Sequence, residues 1–225
     1  MRVFTHLSNS HLEDGDLESL TPRKVPRQAR SAATVEAIYQ AAARVLAVES
    51  LAGFNTNRVA AVAGVSVGTL YQYFPGKSAL MAGLIARTQE ALAEAVEAIV
   101  EDSVDDDLSS ALRRIADLAV RQQYGQVMLA AALDHEERRL SVRDTVDAAQ
   151  ARMVAAAQCM LDRHRAVLPR DLPGSAARDG LVIAKALVEA DVLAGTPPDP
   201  DLSARVHRAL LGYLTVSPRL AEGFR

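Results

Sequence analysis

The chain has 225 residues, 49% hydrophobic and 4% aromatic, with a formal net charge of −3, which is apolar sequence enough for one large domain or two small ones. Its one cysteine, Cys159, excludes an internal disulfide framework and fits a reducing compartment. No window approaches the ~18 consecutive apolar residues of a membrane span, and Met1 to Leu20 hold no apolar leader core, so no membrane association is expected and the expected location is cytoplasmic.

Charge is unevenly placed along the chain. Residues 21 to 87 carry eight basic side chains (Arg23, Lys24, Arg27, Arg30, Arg44, Arg58, Lys77 and Arg87) against Glu36 and Glu49, and the remainder is net acidic. A basic block on an acidic protein suits contact with a polyanion; a chance cluster of solvated charges is the other reading.

Residues 1 to 28 show no periodicity and close on Pro22 and Pro26, which predicts a flexible arm. From about Ser31 the residues Val35, Ile38, Ala42, Val45 and Leu46 recur at three- and four-residue steps, predicting a helix up to Ser50 with Gly53 as a left-handed cap. Asn55 or Thr56 can cap a short second helix containing Val59, Ala60, Val62 and Ala63, which Gly64-Val65 breaks. Ser66 is placed to cap a third short helix to about Phe74, ended by Pro75-Gly76. A long helix follows from about Lys77 to Val100, apolar at Leu80, Leu84, Ile85, Leu92, Val96 and Ile99.

Asp105 to Asp107 precede a helix with Leu108, Leu112, Ile115 and Ala119 on one face, where carboxylates complement the N-terminal dipole. Gln126 to about Leu133 is predicted helical. So is Ser141 to Val167, with Val142, Val146, Ala149, Met153, Ala157, Met160 and His164 in helical step. Residues 176 to 194 are apolar nearly all round, so every face needs cover. GTPPDPD ends that helix, and Leu202 to Leu214 form the last one. No strand pattern or internal repeat is present. The predicted fold class is all-α, with an arm (1–28), a helix-turn-helix domain (29–76) and a helical domain (77–225).

Two short helices separated by Gly64-Val65 are a helix-turn-helix candidate, a unit that sets the N-terminal part of its second helix against base edges in the major groove. Gly68 lets a backbone approach closely, and Thr69 offers a hydroxyl and a methyl. Tyr71 and Tyr73 diverge by about 200° on a 3.6-residue helix and cannot both enter the core. A tyrosine there can reach a phosphate through its hydroxyl while the ring packs beneath. Leu70 and Phe74, four apart, are the inward pair. Lys77 opens the next helix, where a cation and free backbone N–H groups can clamp a phosphate together.

Residues 56 to 80, TNRVAAVAGVSVGTLYQYFPGKSAL, resemble the DNA-binding domain of the TetR family of bacterial transcriptional regulators. The resemblance rests on AGVS at the turn, GTLYQYF on the second helix and the lysine that follows, and it covers roughly residues 31 to 85. It implies an all-α homodimer with a three-helix DNA-binding head, a linking fourth helix and a C-terminal domain holding a small-molecule pocket. It implies phosphate contact for Thr56, Tyr73 and Lys77, and a major-groove position for Val67, Gly68, Thr69 and Tyr71. Arg58, Ser66 and Gln72 fall within the same implied surface. The chain departs from some members at Asn57, where they carry a base-reading arginine, and Val67 can offer only apolar contact, for example to a thymine methyl. Arg27 and Arg30, with Arg23 and Lys24, precede the first helix; such arms enter the minor groove, or stay as a solvated basic tail.

The helices at 176–194 and 202–214 are the expected dimer contact, through Leu181, Val188, Val192, Leu210 and Leu214, two copies making a four-helix interface; the core of a monomer is the alternative. LDHEERR (133–139) lacks metal-ligand spacing on a helix and reads as a polar helix end. Cys159 has no activating partner and reads as a small buried hydrophobe. His164 reads as a core histidine or a pocket residue. Gln122, Gln123, Tyr124, Met128, Met153 and Met160 fall on helices that would surround the pocket implied by the resemblance, or are ordinary core.

The expected function is a dimeric, sequence-specific transcriptional repressor, released from a pseudo-palindromic double-stranded DNA operator by an unknown small-molecule effector. It is expected not to be an enzyme, and no cofactor or metal is expected, since the sequence holds no phosphate loop, nucleotide fingerprint or nucleophile elbow. The alternatives are a helical ligand-binding protein or enzyme with a vestigial head, or an activator without ligand control.

Overall fold

A computed structural model describes residues 29–124, 143–194 and 199–217, and among these there are eight α-helices and no strand. They are α1 (Ala29–Gly53), α2 (Thr56–Ala63), α3 (Val67–Tyr73), α4 (Lys77–Asp102), α5 (Leu108–Tyr124), α6 (Arg143–Arg163), α7 (Ala176–Leu193) and α8 (Leu202–Thr215). The arm at 1–28 and the expected helix at 126–133 lie outside the described residues. None of the described helices is long and apolar enough to cross a membrane.

The first four helices share one apolar cluster. Ile38, Val45 and Leu46 from α1, Val59 from α2, Leu70 from α3 and the following Phe74 are all buried against Leu80, Met81 and Ile85 of α4. Tyr39 meets Phe74 edge-to-face at 5.1 Å between ring centroids, an arrangement the ring quadrupole favours. The Arg87 guanidinium lies 4.8 Å over the Tyr39 ring and pairs with Glu36, tying α1 to α4 twice. Gly83 makes this crossing possible: a Cβ there would sit 2.2 Å from the Tyr39 hydroxyl oxygen.

Two details at the end of α1 differ from expectation. The left-handed residue is Ser50 (φ 57°, ψ −177°), which kinks the helix; Gly53 has no positive φ. Serine in that region costs on the order of 1–3 kcal/mol. Gly53 is needed instead for space, because a Cβ would come within 2.7 Å of the Glu49 Cβ.

A second cluster, built from the C-terminal part of α4 with α5 to α8, contains Val96, Val100, Leu112, Met153, Met160, Val188, Val206 and Leu210. One 26-residue helix, α4, therefore contributes to both cores. Val146 near the start of α6 is also part of the head cluster, while Met153 two turns on is part of the second. Arg152 stands between them and is bracketed by Glu90 and Glu97 of α4, with its Nε donating to Glu97 at 2.9 Å. These carboxylates hold the Arg152 guanidinium charged well above its ordinary range, Glu97 contributing most. Asp107 accepts the Ser110 N–H at 2.7 Å at the start of α5. On α8, His207 Nε2 lies 3.1 Å from the Ser109 hydroxyl, joining α8 to α5.

The helix expected to run to Val167 stops at Arg163. His164 follows in a turn, with Nδ1 2.9 Å from the Met160 carbonyl oxygen and Nε2 3.0 Å from that of Asp106.

The apolar-all-round helix α7 is only partly covered within the subunit. Ala177, Ala184 and Val188 are buried, whereas Val182 is 58% exposed. Three of the residues assigned to a dimer contact need correcting. Val188, Leu210 and Leu214 are each only 2% exposed within this one subunit, so they have no surface left for a second copy. Helical periodicity marks a residue as buried without saying against which partner.

Candidate nucleic-acid interface and effector cavity

The α2–turn–α3 unit is built by capping. Asn55, extended at φ −149°, accepts the Arg58 N–H at 2.9 Å through Oδ1 and starts α2. Gly64 ends it in the left-handed conformation (φ 68°, ψ 28°), where a side chain is disfavoured. Two residues later Ser66 starts α3, its Oγ accepting the Thr69 N–H at 2.9 Å and lying 2.8 Å from the Thr69 hydroxyl. Each such cap is worth about 1 kcal/mol. Leu70 and Phe74 bury fully beneath α3, which leaves Ser66, Val67, Gly68, Tyr71 and Gln72 on the exposed side.

The two tyrosines separate as their spacing requires. Tyr73 is buried, whereas Tyr71 is exposed with its hydroxyl 3.2 Å from Thr56 Oγ1, bracing α3 against the start of α2. Thr56 is itself buried, while Asn57 and Arg58 are exposed beside it. The Arg58 Nε donates to Glu49 at 2.6 Å. Lys77 turns towards the end of α1, its Nζ 3.4 Å from the Leu51 carbonyl oxygen and 5.5 Å from the centre of the Phe54 ring. Arg30 lies on α1, and Arg27 lies outside the described residues.

Gly68, like Gly180 of α7 and Gly212 of α8, has room for a side chain, but it alone of the three lies on the exposed face of α3. Its φ is not positive, and a Cβ there would meet only Ser66 Oγ, at an ordinary 3.7 Å. Nothing inside the described subunit calls for glycine at that point.

The residues 38–84 match the family model for bacterial regulatory proteins of the tetR family. The chain has a TetR-family head. Among solved structures, the TetR fold extends past that head to the helices beyond it. The multidrug binding protein EbrR, solved with imidazole, is 21% identical and aligns over 82% of this chain and 97% of its own, with a TM-score of 0.59. A TetR family transcription regulator from Marinobacter aquaeolei is 16% identical over 84% and 98%, with a TM-score of 0.61. The transcriptional regulator FadR from Bacillus subtilis, solved with stearoyl-CoA, is 19% identical over 80% and 97%, with a TM-score of 0.64. No curated protein sequence gives a significant match.

Behind this TetR head, a cavity of about 260 Å³ lies between α4, α5, α6 and α7. Its apolar walls include Ile85, Leu92 and Val96 of α4, Ile115 and Leu118 of α5, Met153 of α6, and Leu181 and Val188 of α7. Polar groups enter from Thr88 and Gln89, from Gln122, from Gln150, and from Arg178 and Lys185. Of the expected pocket residues, the structure brings Gln122 and Met153 together here. Met160 lines a separate void of about 20 Å³, and His164 lines neither. Tyr124 is the last residue of α5, and Met128 lies outside the described residues.

Sequence reasoning overlooked Arg178 and Lys185. Their signal was present: Arg178, Leu181, Val182, Lys185 and Val188 follow three- and four-residue steps along one face of α7. Cys159, expected to be buried, is exposed, with the Arg163 guanidinium 3.5 Å from its sulfur. No cluster of metal-ligating side chains occurs among the described residues.

Proposed function

We propose that the protein is a dimeric, sequence-specific DNA-binding repressor whose hold on a pseudo-palindromic operator is relieved by a small molecule in the α4–α7 cavity. The observation that carries the DNA-binding half is the exposed face of α3. A doubly capped helix-turn-helix presents Val67, Gly68, Tyr71 and Gln72 outward on a fully buried Leu70/Phe74 base. Gly68 weakens α3 by about 1 kcal/mol relative to alanine, and no internal contact requires it. A glycine that the subunit does not need is accounted for by close approach of DNA. Val67, Thr69 and Tyr71 then face the major groove and Lys77 holds the backbone, with Asn57, Arg58, Ser66 and Gln72 at the margin, while Thr56 and Tyr73, expected at phosphates, are buried and support this face from within. Two such heads on a two-fold dimer span half-sites about 34–36 Å apart.

The effector half is supported by the shared helix. Leu80 to Ile85 of α4 pack in the head, and Ile85, Thr88, Gln89, Leu92 and Val96 of the same helix line the cavity. A ligand that shifts α4 therefore acts on the seating of the head. Only about 1.4 kcal/mol of coupling is needed for tenfold release. FadR with stearoyl-CoA and EbrR with imidazole are TetR-fold neighbours solved with small molecules bound.

Selection of bound fragments from random and genomic DNA by the purified protein, at near-physiological salt, tests this function. A shared pseudo-palindrome is the expected product. A folded protein that recovers no common sequence would refute sequence-specific binding and favour a ligand-binding protein with an inactive head.

A further inference from the structure

The cavity has a chemical polarity that the fold alone does not dictate. Its floor is aliphatic, with Leu92, Val96, Leu118 and Met153 turned towards it and no acidic or aromatic side chain among the described lining residues. Its charged groups are both cations from α7, Arg178 and Lys185, one on each side of the exposed Val182. The two differ in availability. Lys185 pairs with Glu189 at 3.3 Å. Asp179, the carboxylate next to Arg178 in sequence, is already held through Oδ2 by the Tyr213 hydroxyl and the Ser175 hydroxyl, both at 2.7 Å. Arg178 is exposed, lines the cavity and lies near enough to Asp179 to help hold that carboxyl below its usual range, and its guanidinium has planar donors suited to a two-oxygen acid.

We propose that this cavity binds an aliphatic carboxylate, its chain on the floor formed by α4, α5 and α6 and its carboxylate at Arg178. The inference rests on reading the cavity as the effector site and adds the class of effector. A cationic ligand of the same shape would meet Arg178 and Lys185 as like charges, with no described lining carboxylate to offset them. A cavity of about 260 Å³ suits a chain of medium length, and octanoate is the central probe of the series.

Calorimetric titration of the full chain with straight-chain carboxylates of six to twelve carbons, and with primary alkylamines of the same lengths, tests the proposal. The carboxylates should bind at least tenfold more tightly than the matched amines, with an optimum near eight carbons. Arg178→Gln should abolish that ratio and leave the unfolding temperature unchanged. Amines that bind as well as the acids, an Arg178→Gln variant that keeps the preference, or no binding by either series would overturn the proposal. Operator release is read separately by fluorescence anisotropy of a selected DNA fragment. Arg178-dependent carboxylate binding that leaves the bound DNA fraction unchanged would uphold this ligand class and overturn the effector-release reading.

Discussion

Gly68 and Lys77 sit nine residues apart on the head, and their environments predict opposite behaviour. Gly68→Ala places a methyl group in ordinary contact with Ser66 Oγ alone, so it should stabilise the head by up to about 1 kcal/mol through helix propensity. If α3 docks closely on DNA, the same methyl should weaken operator binding at least tenfold. Thermal unfolding and an operator titration on one sample give the two signs; a variant that is more stable and binds equally well would remove the close-approach role. Lys77→Gln keeps a donor for the Leu51 carbonyl but loses the charge. It should weaken binding to all DNA sequences alike and lower the slope of log affinity against log salt by about one. Thr69→Val should instead change the preference among sequences, read by repeating the fragment selection. Equal loss on all DNA for Thr69→Val and Lys77→Gln would assign Thr69 to the backbone and not to bases.

Between elements, two contacts carry definite expectations. Gly83 is where α4 passes the Tyr39 hydroxyl on α1, and a Cβ at 2.2 Å cannot be accommodated without moving the ring. Gly83→Ala should cost about 1–3 kcal/mol, the range for overpacking a filled core. Tyr39→Phe in the same chain should recover part of the loss, because the two ring carbons would remain at 3.0 Å. Denaturant unfolding of the single and double variants measures the difference. At the start of α5, backbone and side-chain hydrogen bonds from Ser110 hold the Asp107 carboxyl below its usual range. A depressed carboxyl contributes stability that is fully present above its unfolded value of about 3.9 and is lost as pH falls through the folded value. Asp107→Ala should therefore lower the unfolding temperature at pH 7, by an amount that shrinks as pH falls below about 3.9 towards 2. Unfolding scans of both proteins at the two ends of that range give the comparison, and an equal loss at both would place the effect outside the carboxylate.

For the molecule as a whole, the proposed dimer must use surface that the subunit leaves open. With Val188, Leu210 and Leu214 committed to the internal core, the half-buried Ile183, Leu187 and Val192 of α7 and Leu211 of α8 are apolar surface on these two helices that does not line the cavity. Leu187→Asp should convert a dimer to a monomer in sedimentation and lower operator affinity at least tenfold, since each half-site would then be bound alone. A variant that stays dimeric would move the interface elsewhere. The shared helix α4 and the Arg152 bracket to Glu90 and Glu97 also belong to this scale. They join the head to the cavity, and both joints run through helices common to the two cores.

Much of this was legible before any coordinates. Capping residues, the Gly64 break and the Leu70/Phe74 pair act over three to five residues, so Asn55, Gly64 and Ser66 alone specify the helix-turn-helix, and spacing alone sends Tyr71 and Tyr73 to different sides. Tertiary structure decided what local pattern cannot express. Val188 and Leu210 face their own subunit, Gly53 serves packing and not a left-handed turn, and Met160 and His164 fall outside the cavity that Met153 lines. Arg178 and Lys185 acquire a role only because α7 lies along three other helices. Periodicity states that a side chain is buried or exposed; which neighbour it meets depends on how helices distant in sequence cross, and that is set by the packing of the whole core.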